Sequence, residues 1–150
     1  MYISTSILSV EEENATKTFY NLEEAKTDYF HIDVMDGEFV ENETNEKMLS
    51  YCNILKQISN LPLDVHFMVN NAKEYIEEYM KFEPSIITFH YESCSSDEEI
   101  MELIKLIREN NIKPGITIKP GTPAEKIYNF LPYVHLVLVM TVEPGKVDKH

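Results

Sequence analysis

His31, Asp33 and Met35 alternate with Ile32 and Val34 in the run His31-Ile32-Asp33-Val34-Met35-Asp36-Gly37. The run reads as a strand entering a glycine turn, and alternate strand residues share a face. His31, Asp33 and Met35 therefore point one way, while Ile32 and Val34 point the other, as they would under a cover of helices. A histidine and a carboxylate two apart on one strand can grip one metal ion. They can also act as base and orienter, or form a hydrogen-bonded polar pair. A second stretch, Pro62-Leu63-Asp64-Val65-His66-Phe67-Met68-Val69, repeats the layout with His66 and Met68 on one face.

The elements that must position these residues alternate regularly. Strands are predicted at 2–8, 29–35, 61–69, 85–90, 113–118 and 135–140. Between them, helices are predicted at 11–26 with Ala15, Phe19 and Leu22 inward, and at 45–59 with Met48, Cys52 and Leu55 inward. A third runs over 72–81 with Ala72, Ile76, Tyr79 and Met80, and a fourth over 97–109 with Ile100, Leu103, Ile104 and Ile107. A short fifth helix starts at Thr122-Pro123-Ala124-Glu125, with Thr122 as N-cap, Pro123 at the first helical position and Glu125 closing a capping box. Residues 38–44 are polar and acidic and read as a loop.

Alternating strands and helices, with apolar, β-branched strands, predict a parallel sheet covered by helices. An open dinucleotide-binding sheet would want a glycine-rich turn after its first strand, yet that turn is Leu8-Ser9-Val10-Glu11 and the chain has four glycines. A barrel gathers its functional residues at the C-terminal strand ends. Asp33, Met35, His66, Met68, His90 and Met140 lie at or near such ends, so the fold class is α/β, of the (β/α)8 barrel type.

The bulk numbers agree. A chain of 150 residues with 43% hydrophobic and 26% charged residues is a single globular domain. A net charge of -13 argues against a nucleic-acid or anionic-membrane surface. Cys52 and Cys94 form neither a disulfide framework nor a zinc spacing; Cys52 falls in a helix core and Cys94 in a loop. No basic region followed by an apolar run opens the chain and no stretch reaches membrane-spanning length, so the expected location is cytoplasmic.

At this level of detail the chain resembles the ribulose-phosphate 3-epimerase family, (β/α)8 enzymes of the pentose phosphate pathway. The matching blocks are S-I-L-S (6–9), H-I-D-V-M-D-G (31–37), F-V (39–40) with Asn42, P-L-D-V-H-F-M-V (62–69), I-I-T-F-H (86–90), P-G-T-P (120–123) and L-V-L-V-M-T-V-E-P-G (136–145). The resemblance implies that His31, Asp33 and His66 ligate a divalent metal ion, and that Asp33 doubles as one of two acid/base carboxylates. It implies that Ser6 and His66 touch the substrate, and that Met35, Met68 and Met140 form a thioether lining around the reacting carbon. The implied reaction inverts C3 of D-ribulose 5-phosphate to give D-xylulose 5-phosphate: one carboxylate removes the proton, another returns one, and an enediolate lies between. Imidazole and carboxylate donors suit zinc, iron, manganese or cobalt alike.

The family pattern continues beyond M-T-V-x-P-G with a glycine-rich loop, a seventh strand bearing the second aspartate and an eighth that binds phosphate. Here Gly145 is followed by Lys146-Val147-Asp148-Lys149-His150. Glu38, Glu41 and Lys119 are smaller departures that touch no implied ligand. A closed barrel of this type usually needs about 250 residues, with roughly 200 near the lower limit. The expectation is therefore a single, C-terminally incomplete barrel domain over residues 1–150, with low or no epimerase activity alone. The expected partners are a small-molecule sugar phosphate and further copies of the chain in a homo-oligomer, with no nucleic acid and no membrane. Two other readings stand beside this one: a non-catalytic interaction protein with open sheet edges, and a related allulose 6-phosphate 3-epimerase.

Overall fold

The pattern of alternating apolar strands and amphipathic helices builds one parallel sheet with helices on one face. The computed structural model describes residues 1–140. Its strands are β1 (Ser4–Ser6), β2 (Tyr29–Met35), β3 (Leu63–Met68), β4 (Ile86–His90), β5 (Lys113–Ile118) and β6 (Leu136–Val139). They pair in chain order, β1-β2-β3-β4-β5-β6, every pair parallel, and the sheet curls into part of a barrel. Thr141 to Gly145 of the last matching sequence block, and Asp148, lie outside the described residues.

The two strand faces do different work. Phe30, Ile32, Val34, Leu63, Val65, Phe67, Ile87, Phe89, Ile116 and Ile118 form the outer face and join the helices in one core. The helices supplying the other half are α1 (Ala15–Glu24), α2 (Asn45–Ile58), α3 (Ala72–Tyr79) and α4 (Asp97–Glu109). Their buried residues are among those predicted: Ala15 and Phe19; Met48, Cys52 and Leu55; Ala72, Ile76 and Tyr79; and Ile100, Leu103, Ile104 and Ile107, while Leu22 and Met80, also expected inward, are partly buried against the core. Tyr51 adds to the α2 stripe, its ring edge-on to Phe19 at 5.3 Å. Among the described residues, only α4 has a side-chain N-cap, where Ser96 Oγ accepts from the Glu99 N–H at 3.2 Å.

On the inner face, strand register stacks the side chains in layers. One layer runs Ser6, His31, Asp64, Ile86 and Lys113; the next runs Asp33, His66, Thr88, Gly115 and Leu136. Met35 pairs with Met68 above them, in a small apolar cluster with Val40 that also touches Leu8 and Phe39. Gly115 is required here by space: a Cβ on it would lie 2.5 Å from Thr88 Oγ1 and 2.9 Å from Leu136 Cγ.

Two elements differ from the sequence reading. β1 covers Ser4–Ser6 rather than 2–8, because Met1, Tyr2 and Ile3 are exposed at the sheet margin. The fifth helix is not an α-helix but a run of 3-10 turns over Ala124–Tyr133 with no side-chain cap. Pro132 has no N–H to give a longer ladder. The Thr122 hydroxyl, expected to cap it, makes no capping bond and lies toward Glu92, whose charge it stabilises.

Candidate metal centre

The site begins with β2 and β3 and the hydrogen bonds that hold their ends. Thr44, just before α2, is buried; its hydroxyl accepts the Met35 N–H at 3.0 Å and donates to the Asp33 carbonyl at 2.8 Å. Asp36 takes no part in the cluster. Its Oδ1 accepts the Glu38 and Phe39 N–H groups at 2.8 and 2.7 Å, and its Oδ2 the Asn70 N–H at 2.8 Å. It thus ties the loops after β2 and β3 together. Gly37 follows with φ 77°, a left-handed conformation that favours glycine.

With the strand ends fixed, His31, Asp33 and His66 converge. One donor atom from each lies within 4.8 Å of the others. His31 donates from Nε2 to Asp33 Oδ1 and from Nδ1 to Asp64 Oδ2, both at 3.0 Å. His66 Nδ1 is 3.5 Å from the same Asp33 oxygen. Ser6 Oγ donates to Asp33 Oδ2 at 3.1 Å, and Ser4 Oγ to Asp64 Oδ2 at 2.9 Å.

The charges follow from this geometry. Burial opposes a charge on His31, but the hydrogen bonds and negative charges of Asp33 and Asp64 outweigh it and raise its pKa to about 10. Burial likewise opposes ionisation of Asp33, yet His31 and His66 hold its carboxyl well below the usual carboxylate range. A carboxylate set between two imidazoles, with the proton on His31 Nε2 standing where a cation would stand, fits a divalent metal ion. Nitrogen and oxygen donors of this kind suit first-row transition ions.

Next to the cluster lies a second polar pair. His90, at the end of β4, is 0% exposed, and its Nε2 is 3.0 Å from His66 Nε2. Its Nδ1 lies 3.3 Å from Glu92 Oε1. Glu92 Oε2 accepts the Lys119 backbone N–H at 2.9 Å. Burial pushes the His90 pKa down to about 4, against the opposing pull of Glu92. Burial would raise Glu92, but the hydrogen bonds from His90, Thr122 and Lys119 bring it down to about 2. Phe39 covers His90 at 5.0 Å between ring centroids, and Lys119 Nζ sits 4.1 Å over the Phe39 ring.

Of the residues singled out in the sequence, Ser6, His31, Asp33 and His66 come together, and Met35 and Met68 lie one layer above. Met140 follows β6, three strands from β3, and is half-buried. Asp64, His90 and Glu92 were not singled out as site residues. The available signal was spacing: Asp64-Val65-His66 mirrors His31-Ile32-Asp33, and His90-Tyr91-Glu92 repeats the histidine–carboxylate step. Cys52 and Cys94 are free, and burial pushes both thiols up to about 12. Among the described residues, no helix is long and apolar enough to cross a membrane.

A curled parallel sheet with imidazole and carboxylate donors on the inner face of adjacent strands defines a (β/α)-barrel-type protein with a candidate divalent-metal centre. The sequence profile of the ribulose-phosphate 3 epimerase family matches residues 2–149. The ribulose-phosphate 3-epimerase of Treponema pallidum is 36% identical over 143 residues, covering 95% of this chain and 63% of its own. That of Bacillus subtilis is 34% identical, covering 95% and 64%, and that of Methanocaldococcus jannaschii 37%, covering 95% and 58%. The chain belongs to the ribulose-phosphate 3-epimerase family. It spans less than two thirds of the length of these relatives.

Proposed function

We propose that the chain carries the metal-binding, single-carboxylate part of a ribulose-phosphate 3-epimerase site, acting at C3 of D-ribulose 5-phosphate. The observation that carries this reading is the convergence of donor atoms of His31, Asp33 and His66 within 4.8 Å of one another on the inner face of β2 and β3. When bound there, a divalent cation would supply positive charge to balance the enediolate oxygens. Asp33, ionised in its surroundings, is the group that accepts the C3 proton from one face. Ser6, donating to Asp33 Oδ2, keeps that carboxylate turned into the sheet's concavity. Met35 and Met68 set an apolar wall above it, which limits water at the reacting carbon.

Inversion needs a second acid/base group on the opposite face. Among the described residues, the other inner carboxylates are engaged elsewhere: Asp64 with His31 and Ser4, Glu92 with His90 and Lys119. The 150 residues assayed alone are therefore expected to turn over slowly, since losing a positioned acid or base costs about 10²–10⁴-fold. The test pairs Zn2+ titration with epimerisation of D-ribulose 5-phosphate, beside the Bacillus subtilis relative. Binding of one ion that is lost in His66→Ala and Asp33→Asn, with turnover far below the relative's, is the expected result. Equal Zn2+ binding by wild type and His66→Ala would overturn the metal centre. Turnover matching the relative's would overturn the single-carboxylate reading.

A further inference from the structure

At the N-terminal ends of β5 and β6, two strands beyond those of the metal centre, basic side chains from three elements meet. α4 closes in a Schellman motif: Asn111 takes φ 61°, its N–H donates to the Arg108 carbonyl at 3.0 Å, and the Ile112 N–H donates to the Ile107 carbonyl at 3.2 Å. That turn brings Arg108, in the last turn of α4, to the same cavity as Lys113, the first residue of β5. His135 stands just before β6, and its N–H donates to the Pro114 carbonyl at 2.7 Å, which holds it against the start of β5. Arg108 Nη1 reaches across to donate to the Tyr133 carbonyl at 3.4 Å. The cavity between them holds about 310 Å³ and is open to solvent; Arg108, Lys113, Pro114, Pro132, Tyr133 and His135 are among its lining.

The charge here runs against that of the whole chain. The sequence has 26 Asp and Glu against 13 Lys and Arg, yet no carboxylate lines this cavity. Among the described residues, none of Arg108, Lys113 and His135 is ion-paired with a carboxylate. A guanidinium and an ammonium gathered without a counter-charge repel one another, and an anion between them removes that cost. Pro114 and Pro132 have no N–H, so recognition falls to the side chains. A guanidinium fork, an ammonium and an imidazole, arriving from three directions, suit the spread oxygens of a tetrahedral phosphate better than a flat carboxylate. The net charge of -13 repels anions from the molecule as a whole, so an anion held here is held by these local contacts.

We propose that Arg108, Lys113 and His135 form a second ligand site, for a phosphate group that is either free or the monoester of a small sugar. Bound phosphate ties the end of α4 to the starts of β5 and β6. The site goes beyond the epimerase reading and does not depend on it, because none of its lining residues belongs to the His31, Asp33 and His66 cluster.

The test titrates inorganic phosphate, and separately D-ribulose 5-phosphate, into the protein at constant ionic strength, followed by 1H–15N spectra. Inorganic phosphate should move the amide signals of Lys113, Tyr133, Val134 and His135 along one saturable curve. Arg108→Gln and Lys113→Gln should each weaken that binding about tenfold, the loss of one charge-assisted bond. Lys105→Gln, one turn earlier on α4 and outside this lining, should bind as wild type does. Should Arg108→Gln fail to fold for want of its bond to the Tyr133 carbonyl, Lys113→Gln decides alone. Tighter binding of D-ribulose 5-phosphate than of inorganic phosphate at these four signals would support the site and make the ester its ligand. The reverse order would support it and make free phosphate the ligand. Shifts that grow without saturation, or equal affinity in wild type and Lys113→Gln, would overturn the site. Phosphate binding here by a protein that neither binds Zn2+ nor epimerises would sink the epimerase reading and leave this site standing.

Discussion

Replacing Gly115 with alanine tests whether the inner face is packed as tightly as the layers imply. The added Cβ would sit 2.5 Å from Thr88 Oγ1 and 2.9 Å from Leu136 Cγ and Cδ1. Both lie well inside the roughly 3.5–4.0 Å of a favourable contact. Leu136 can swing aside, since it is half-buried on β6. Thr88 cannot do so cheaply: it is 3% exposed, β-branched and flanked in register by His66. Overpacking of this kind costs about 1–3 kcal/mol. The smaller unfolded-state entropy of alanine returns about 0.4–1 kcal/mol. The net expected loss is about 1–2 kcal/mol, read as a lower urea midpoint at unchanged slope. In a chain of this size the melting temperature should fall by roughly 2–8 °C. Gly121→Ala is the control, because nothing lies within 4 Å of its added Cβ. Its stability should stay within about 0.5 kcal/mol of wild type. Thr88→Ala should relieve part of the damage, with a favourable coupling of about 0.5–3 kcal/mol in the double-mutant cycle. A Gly115→Ala protein as stable as Gly121→Ala would refute the packing argument.

Two further outcomes follow from the site. His31, raised to about 10 in the metal-free protein, is protonated through neutral pH and must shed the Nε2 proton to ligate. Divalent-ion affinity should therefore climb from pH 6 to 8, and titrations in buffers of different ionisation enthalpy should show release of about one proton from this ring; flat affinity would count against it. Thr44→Val keeps the shape but strands the Met35 N–H and the Asp33 carbonyl. Leaving buried groups unpaired costs about 1–3 kcal/mol, so the thermal midpoint should drop measurably, and an unchanged midpoint would show that the loop is not held by this hydroxyl.

The parts of this molecule legible in its sequence are those written within one element. The helix stripes on α1 to α4 and the alternation in β2 and β3 are local periodicities, and they placed His31, Asp33 and His66 on one face. What was less legible depends on register between strands. His31 meets Asp64 and Asp33 meets His66 only because of the β2–β3 pairing, which neither strand encodes alone. His90 and Glu92 meet His66, on β3, and Lys119, just after β5, only through tertiary pairing. The turns after Pro123 show the same limit: Thr122 had the spacing of a cap, yet its side chain caps nothing and lies toward Glu92.

The strictly sequential strand order has a consequence for how the chain folds. Each strand pairs with partners about 20–35 residues away, so every long-range contact in the sheet closes a loop of moderate length. No early strand waits for one from the far end of the described chain. Growth can proceed one strand and helix at a time from the N-terminus, in step with synthesis. The ligand cluster is complete once Met68 has joined the sheet, since His31, Asp33 and His66 all lie on β2 and β3. A cation captured at that stage would hold two strands in register before β4 and β5 arrive, and so favour the correct pairing over slipped ones.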